Sequence, residues 1–366
     1  MRMSKRHTTA YLRAFIFLPA FGLSACANTT HIESGMANNP LLVNPRPWCV
    51  GRFVINRPAQ SEMANESYEY WGLKFDIALN VTPGTFQYRV QTRENELRAK
   101  KRTIDLPLTA EMLQNNDNGI RETDVPWLER ATSPTKTSRL LIYKEFADDI
   151  APYFDVNGYV LAGSTMLTMK SLVRPTDIQL SIDRVGDVYR NITYRDNWTV
   201  PTDPGFCVNG ALIGGPSRNS EALTQVWTLP DVGGIVITMR DAVDVDEQSS
   251  LLANLSSLKH QLREEGYSGH VKILRERKRI VAGMDTEEVL FSIQGDGVQL
   301  FRFYLLAPGK AKDVAHPHAT IQLMIGEIPK EGVITAAEAT ALVDEAGAVQ
   351  VWDTLLDSMR LRPGAI

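Results

Sequence analysis

Trp48-Cys49-Val50-Gly51-Arg52-Phe53-Val54-Ile55 is an apolar stretch opened by an aromatic residue and a cysteine, and Phe206-Cys207-Val208 repeats that opening far downstream. A similar succession follows each copy. After the first, where residues 50–55 read as a strand, Leu73, Phe75, Ile77 and Leu79 alternate with Lys74, Asp76, Ala78 and Asn80, the period of a half-buried strand. Pro83-Gly84 breaks the chain, and Phe86, Val90 and Leu97 then share a helical face with Arg93, Glu94, Arg98, Lys100 and Lys101 outside it. Residues 140–146 and 159–169 read as strands with Asn157-Gly158 as the turn between them, and Ile182, Val185, Tyr189 and Ile192 mark a second helix. After the second copy, residues 208–213, 224–229 and 235–239 read as strands, and Leu251, Leu255, Leu258 and Leu262 as a helix ended by Gly266. Residues 289–293 and 298–306 form a predicted hairpin about Gly295-Asp296-Gly297, and residues 319–325 a further strand. Thr335 and Glu338 have capping-box spacing before C-terminal helices that Gly347 is expected to interrupt.

No regular β-α-β alternation is present, so a parallel sheet is not expected. The pattern predicts an α+β fold of two related domains, each a mainly antiparallel sheet packed with helices. The aromatic-Cys-Val echo is short, and chance would also produce it. Pro201, Asp203, Pro204 and Gly205 cluster between the two copies, which places the domains at residues 47–200 and 201–366.

Upstream of the first copy, Arg2, Lys5, Arg6 and Arg13 precede an apolar run over residues 14–25 that is too short to span a bilayer. Leu23-Ser24-Ala25-Cys26 closes it and resembles the lipobox of bacterial lipoproteins, in which the cysteine is lipidated and becomes the first residue. A plain secretory signal with Cys26 beside the cut is the alternative. Residues 1–25 are thus expected to be a signal peptide. Residues 26–46, polar and without periodicity, are expected to be a flexible tether that reaches roughly 65 Å extended and about 25 Å as a coil.

The precursor carries a net charge of −4. Its first 25 residues hold four of the 39 basic groups and no acidic ones, so the remainder has 35 against 43, a net −8. An acidic chain is a poor nucleic-acid ligand, and membrane contact is expected through the lipid anchor alone. With Cys26 lipidated, Cys49 and Cys207 remain as an even pair for an oxidising compartment. A disulfide is expected; two separate buried thiols are the alternative.

Sites of chemistry are scarce. Ala162-Gly163-Ser164-Thr165 lacks the flanking glycines of a nucleophile elbow and reads as strand. His316-Pro317-His318 has a proline where a zinc strand needs free geometry, and reads as a turn before the strand at residue 319. His260 reads as a solvated helix residue. Asp241, Asp244, Asp246 and Glu247 read as N-terminal charges of the Leu251 helix, with a cation or basic partner as the alternative. Arg275, Arg277, Lys278 and Arg279 read as a solvated strand edge or loop, with an acidic partner or lipid headgroups as the alternative. No catalytic, cofactor-binding or metal-ligating residue is assigned, which favours a binding protein over an enzyme.

Three segments carry a family resemblance. Trp48-Cys49-Val50-Gly51-Arg52-Phe53-Val54-Ile55 with Pro58, Gly205-Phe206-Cys207-Val208-Asn209-Gly210, and Val281-Ala282-Gly283 with Glu287-Glu288 are similar to motifs of immunity proteins paired with type VI secretion lipase effectors of the fourth class. Thr286 stands where that family commonly has glycine. The resemblance implies a two-domain, non-enzymatic, periplasmic protein that binds a cognate phospholipase without a cofactor and occludes its cleft or lid. Ala27, where inner-membrane lipoproteins keep aspartate, implies an outer-membrane anchor. The competing readings are a structural lipoprotein of the envelope and a lipid-anchored periplasmic hydrolase.

Overall fold

The computed structural model describes residues 39–106, 114, 121–146, 152–218, 220–230, 233–241, 250–264, 270–295, 297–329 and 333–366. The expected signal peptide, Cys26 and most of the expected tether lie outside the described residues. The end of that tether does not stay free: Asn39 caps a short helical turn over Pro40–Leu42, its amide donates to the Gly347 carbonyl at 3.0 Å, and Leu41 is buried.

The first half of the chain runs β1 (Arg46–Val50), β2 (Phe53–Arg57), β3 (Glu62–Tyr70), β4 (Leu73–Ala78), α1 (Pro83–Ala99), β5 (Lys101–Asp105), β6 (Glu122–Pro126), β7 (Leu128–Thr132), β8 (Ser138–Tyr143), β9 (Phe154–Ala162), β10 (Thr165–Val173), α2 (Ile178–Arg190) and β11 (Ile192–Tyr194). The second half runs β12 (Gly205–Val208), β13 (Ala211–Gly214), β14 (Ala222–Leu229), β15 (Gly233–Arg240), α3 (Leu255–Glu264), β16 (His270–Val281), β17 (Met284–Gly295), β18 (Val298–Ala307), β19 (His318–Ile325), α4 (Ala336–Ala339), α5 (Glu345–Ser358) and β20 (Arg360–Leu361).

The halves are topological repeats. One twelve-stranded sheet has the order β16-β17-β18-β19-β15-β14-β3-β4-β10-β9-β8-β7. Read outward from its centre, each half gives a hairpin and then four strands of one meander in reverse order. The repeats meet where β14 pairs antiparallel with β3, Ala222 opposite Glu69. They also exchange closing strands: β20 adds to the opening hairpin β1–β2, and β11 adds to the opening hairpin β12–β13. The fold is therefore α+β as expected, and its two domains share a single sheet.

Several local expectations are corrected. Residues 50–55 are not one strand: Gly51, with φ +58°, and Arg52 turn the chain between β1 and β2. Residues 208–213 likewise fold back at Asn209-Gly210. Asn157-Gly158 lies within β9, and the turn falls at Gly163-Ser164. Gly158 is there for space, since a Cβ would come within 2.1 Å of the Tyr189 hydroxyl. Ile192 leaves the second helix for β11. Gly347 does not interrupt α5; its N–H is capped by Asp344 at 2.8 Å, inside the first turn. The capping box of Thr335 and Glu338 forms as expected and opens α4. Gly266 and Asp296 lie outside the described residues.

The sheet's two faces are covered differently. Leu140, Ile142, Leu167, Phe75, Trp227, Ile237, Leu323, Phe301 and Phe303 join one continuous core with α2, α5 and the opening hairpins. On the opposite face, Leu97 of α1 packs on Leu141 and Tyr143, while Leu255, Leu258 and Leu262 of α3 pack on Phe291, Ile293 and Leu300. In β8 and β18 alternate residues enter opposite clusters, so α1 and α3 lie on the same side of the sheet.

Candidate functional site

The residues of the first two motifs converge on one buried knot. Cys49 and Cys207 form a disulfide with Cα atoms 6.0 Å apart, joining β1 to β12 across 158 positions. Beside it the Cys207 N–H donates to the Gly51 carbonyl at 2.8 Å. A Cβ on Gly51 would stand 2.7 Å from Leu223 and 3.1 Å from Phe206, so glycine is needed for both the turn and the packing. Arg52 is buried and makes a forked contact to Glu221, Nε to Oε2 at 2.7 Å and Nη2 to Oε1 at 2.6 Å, and also donates to the Ala365 carbonyl. The Gly205 carbonyl accepts from Arg362 at 2.7 Å. The Trp48 indole donates to Gln225 at 3.1 Å; Gln225 donates to the Tyr68 hydroxyl, which donates to Glu66. Burial and the neighbouring Glu66 carboxylate push the Tyr68 hydroxyl well above the ordinary tyrosine range. Arg57 lies 4.3 Å above the Trp48 ring, and burial lowers its pKa to about 10. These groups bond to one another and tie the repeats together.

Gly283 and Ala282 occupy the tip of the β16–β17 hairpin, both with left-handed φ. Glu287 and Glu288 follow on opposite faces of β17. Glu287 accepts from the Ser250 hydroxyl at 2.7 Å and the Leu252 N–H at 3.1 Å, ahead of α3. Glu288 has no exposed surface and accepts from Arg277 Nε at 2.6 Å, from the Trp352 indole at 2.9 Å, and from Arg275 and Arg279 at 3.3 Å. Burial alone would raise its pKa, but the indole, Arg277 and Arg279 together hold it below the usual glutamate value. Arg275 forks onto Asp353 of α5 at 2.7 and 2.9 Å. Thr286 donates to the Arg279 carbonyl at 2.8 Å and is buried, a bond glycine could not make. The basic run is thus an edge strand as expected, but Arg275 and Arg279 are bound inward to α5.

The remaining candidates hold no reactive constellation. Ser164 sits in the β9–β10 turn, not in a strand. His316 contacts Asp313 at 2.7 Å before β19, and His260 is exposed beside Glu264 at 3.2 Å. Asp241 is not a helix cap: it is buried and accepts from the Glu221 N–H at 2.9 Å. Asp244, Asp246 and Glu247 lie outside the described residues. Among the described residues no group of three metal-ligating side chains occurs, and no helix is long and apolar enough to cross a membrane.

Among the described residues no helix covers the centre of the sheet's outer face, between α1 and α3. Thr224 and Val226 of β14, Val236 and Thr238 of β15, and Thr320, Gln322 and Met324 of β19 point away from the main core and are all half-buried. The Thr224 and Thr238 hydroxyls lie 3.3 Å apart across the strands. None of these side chains is charged, although Glu69 of β3 and Lys74 and Asp76 of β4 flank them on the same face. A water-facing sheet ordinarily carries charge, whereas the centre of a protein interface is depleted of it. The alternation was visible in the sequence; that these positions share one face between two helices was not.

A family model for the Tle cognate immunity protein 4 N-terminal domain matches residues 46–195, and one for its C-terminal domain matches residues 199–364. The fold is similar to the apo immunity protein TplEi of the type VI secretion system of Pseudomonas aeruginosa, at 22% identity and a TM-score of 0.69, covering 88% of this chain and 98% of that one. It is also similar to a chain of the Tle4-Tli4 complex, at 22% identity and a TM-score of 0.70, covering 87% and 98%. Against Pseudomonas aeruginosa TplEi complexed with "L" peptide, identity is 21% and the TM-score 0.66, covering 88% and 99%. A search of curated protein sequences found no match. With both domain models matched in order over most of its length, this chain belongs to the Tle cognate immunity protein 4 family.

Proposed function

We propose that this protein binds and inhibits a cognate type VI secreted phospholipase without turning over a substrate. The observation that carries this reading is the uncharged centre of β14, β15 and β19 on the outer face between α1 and α3, in a chain of this family. A lipase that works on bilayers presents an apolar rim around its cleft, and an inhibitor can cover that rim or hold the lid with no catalytic group. Protection from such an enzyme calls for nanomolar binding, near −12 kcal/mol, over an interface of about 1,600 Å² or more. That a similar fold occurs in a Tle4-Tli4 complex supports a protein partner.

The mature protein acts in the periplasm, held by lipidated Cys26 at the outer membrane and divided into domains near residue 200. The Cys49–Cys207 disulfide supports an oxidising compartment. Mass spectrometry of the native N-terminus should find an acylated Cys26 in the envelope fraction; an unmodified, cytosolic product contradicts this placement.

Binding is tested by titrating residues 27–366 into the cognate lipase effector, to be sought among the adjoining genes, while following phospholipid hydrolysis. Hydrolysis should cease at equimolar protein. Undiminished hydrolysis, or phospholipid cleavage by this chain alone, overturns the reading.

A further inference from the structure

We infer that a cavity in the first repeat binds a single-chain anionic amphiphile, an acyl chain with a carboxylate or phosphate head. The cavity, of about 350 Å³, lies between the β3–β4 turn, the end of β10 and the start of α2. That volume is at the lower end of small-molecule sites and suits one acyl chain better than two.

Its lining has two characters. Tyr153, Leu172 and Leu180 supply apolar surface, and the two leucines are 65% and 69% exposed. Covering a leucine gains roughly 1.5–3 kcal/mol, so the pair is a strong apolar receptor. Arg174 and Arg184 line the same cavity against one carboxylate, Asp177. The Arg184 guanidinium lies 4.9 Å over the Trp71 ring, whose position Arg218 fixes at 4.6 Å. Its Nε is buried without an acceptor. Burial lowers the Arg184 pKa, the sign of a cation whose lost hydration is not replaced.

An anionic head answers the two guanidinium groups: a carboxylate or phosphate accepts from the terminal nitrogens of Arg184 through charge-assisted bonds, and the attached chain covers Leu172 and Leu180. A neutral alkyl chain would leave the two guanidinium groups without a counter-charge, and a cation would meet both of them. Ester hydrolysis of phospholipid releases two molecules of this chemistry, a fatty acid and a lysophospholipid. The inference concerns this chain alone and stands whether or not the proposed effector is bound.

Calorimetric titration of residues 27–366 tests it, using dodecanoate, dodecanoyl lysophosphatidylglycerol, dodecanol and dodecyltrimethylammonium, all below their micelle concentrations. At least one anion should bind saturably at one per protein, tenfold or more tighter than the alcohol and the cation. Which of the two anions binds identifies the natural source. Arg184→Gln should weaken the anion at least tenfold with an unchanged melting temperature, and Leu180→Ser should weaken it independently. Absence of saturable binding, equal affinity for the cation, or binding indifferent to Arg184→Gln overturns the inference. Association with anionic vesicles but not with the monomeric amphiphiles also overturns it, since that describes a membrane-docking surface.

Discussion

The two repeats have the same strand order yet hold their core-facing helices by different forces. In the first, α2 is held by Val185, Val188 and Tyr189, which are buried in the shared apolar core. In the second, α5 buries Val351, Trp352 and Leu355 but is also pinned to β16 by Glu288, Arg275, Arg279 and Asp353. The edges explain the difference. β7 is five residues long, while β16 is twelve and ends the sheet on the other side. A long edge strand invites pairing with another chain, and charged side chains discourage it. Once present, those charges can be bound inward, and here they fix a helix. The same topology therefore accommodates an apolar lock on one side and an ionic one on the other.

The largest expected effect comes from cutting the link that joins the repeats. Cys49→Ser with Cys207→Ser removes a crosslink closing 158 positions, worth about 5 kcal/mol in the chain-entropy model. Denaturant unfolding should show that loss, and a change under 1 kcal/mol would mean that the shared sheet alone unites the halves. Next is Glu288→Ala, which leaves three arginines and the Trp352 indole around an empty acceptor. Breaking a buried ionic cluster from one side costs about 3–5 kcal/mol. A melting temperature within a degree of the parent would show α5 to be held by its apolar face, as α2 is.

Acid should separate the two locks more gently. Glu288 has a folded pKa below its free value of 4.5. Its stabilisation is complete above that value and is lost as pH falls through the folded pKa. Hydrogen exchange should thus show α5 amides losing protection before α2 amides as pH drops below about 4.5. Simultaneous loss in both the parent and Glu288→Gln would contradict an ionic origin. The smallest effect is expected in the first repeat. The Tyr189 hydroxyl is buried with no partner, so Tyr189→Phe should be neutral or stabilising by up to about 1 kcal/mol. A clear loss of stability would reveal a bond at that hydroxyl.

Local pattern in the sequence went far toward this fold. The alternation from Leu73 to Ile77 is β4, the Val90–Leu97 face is α1, and the matched cysteines mark opening hairpins. Glycines were harder, because the same residue serves different needs. Gly158 carries the local signal of a turn but is required by the Tyr189 hydroxyl across the core, while Gly163, in strand-like sequence, takes φ +58° in the actual turn. The β3–β14 junction and the exchange of β11 and β20 are set by contacts between distant segments, which no local period records. The partners of the motif residues, such as Glu221 for Arg52 and Trp352 for Glu288, were invisible for the same reason. The uncharged centre of the outer face is not legible in the sequence, because its threonines and valines look like ordinary strand residues until the sheet assembles.

That face carries the functional account, and one measurement addresses it most directly. Val226→Arg with Thr238→Arg places two cations at the centre of the face without touching the main core. The affinity of this variant for the cognate lipase should be compared with that of the parent by calorimetry, with thermal unfolding as the control for folding. The account predicts an affinity loss of about a hundredfold, close to 2.7 kcal/mol, at an unchanged melting temperature. Parental affinity in the folded variant would contradict it and move the contact elsewhere on the molecule.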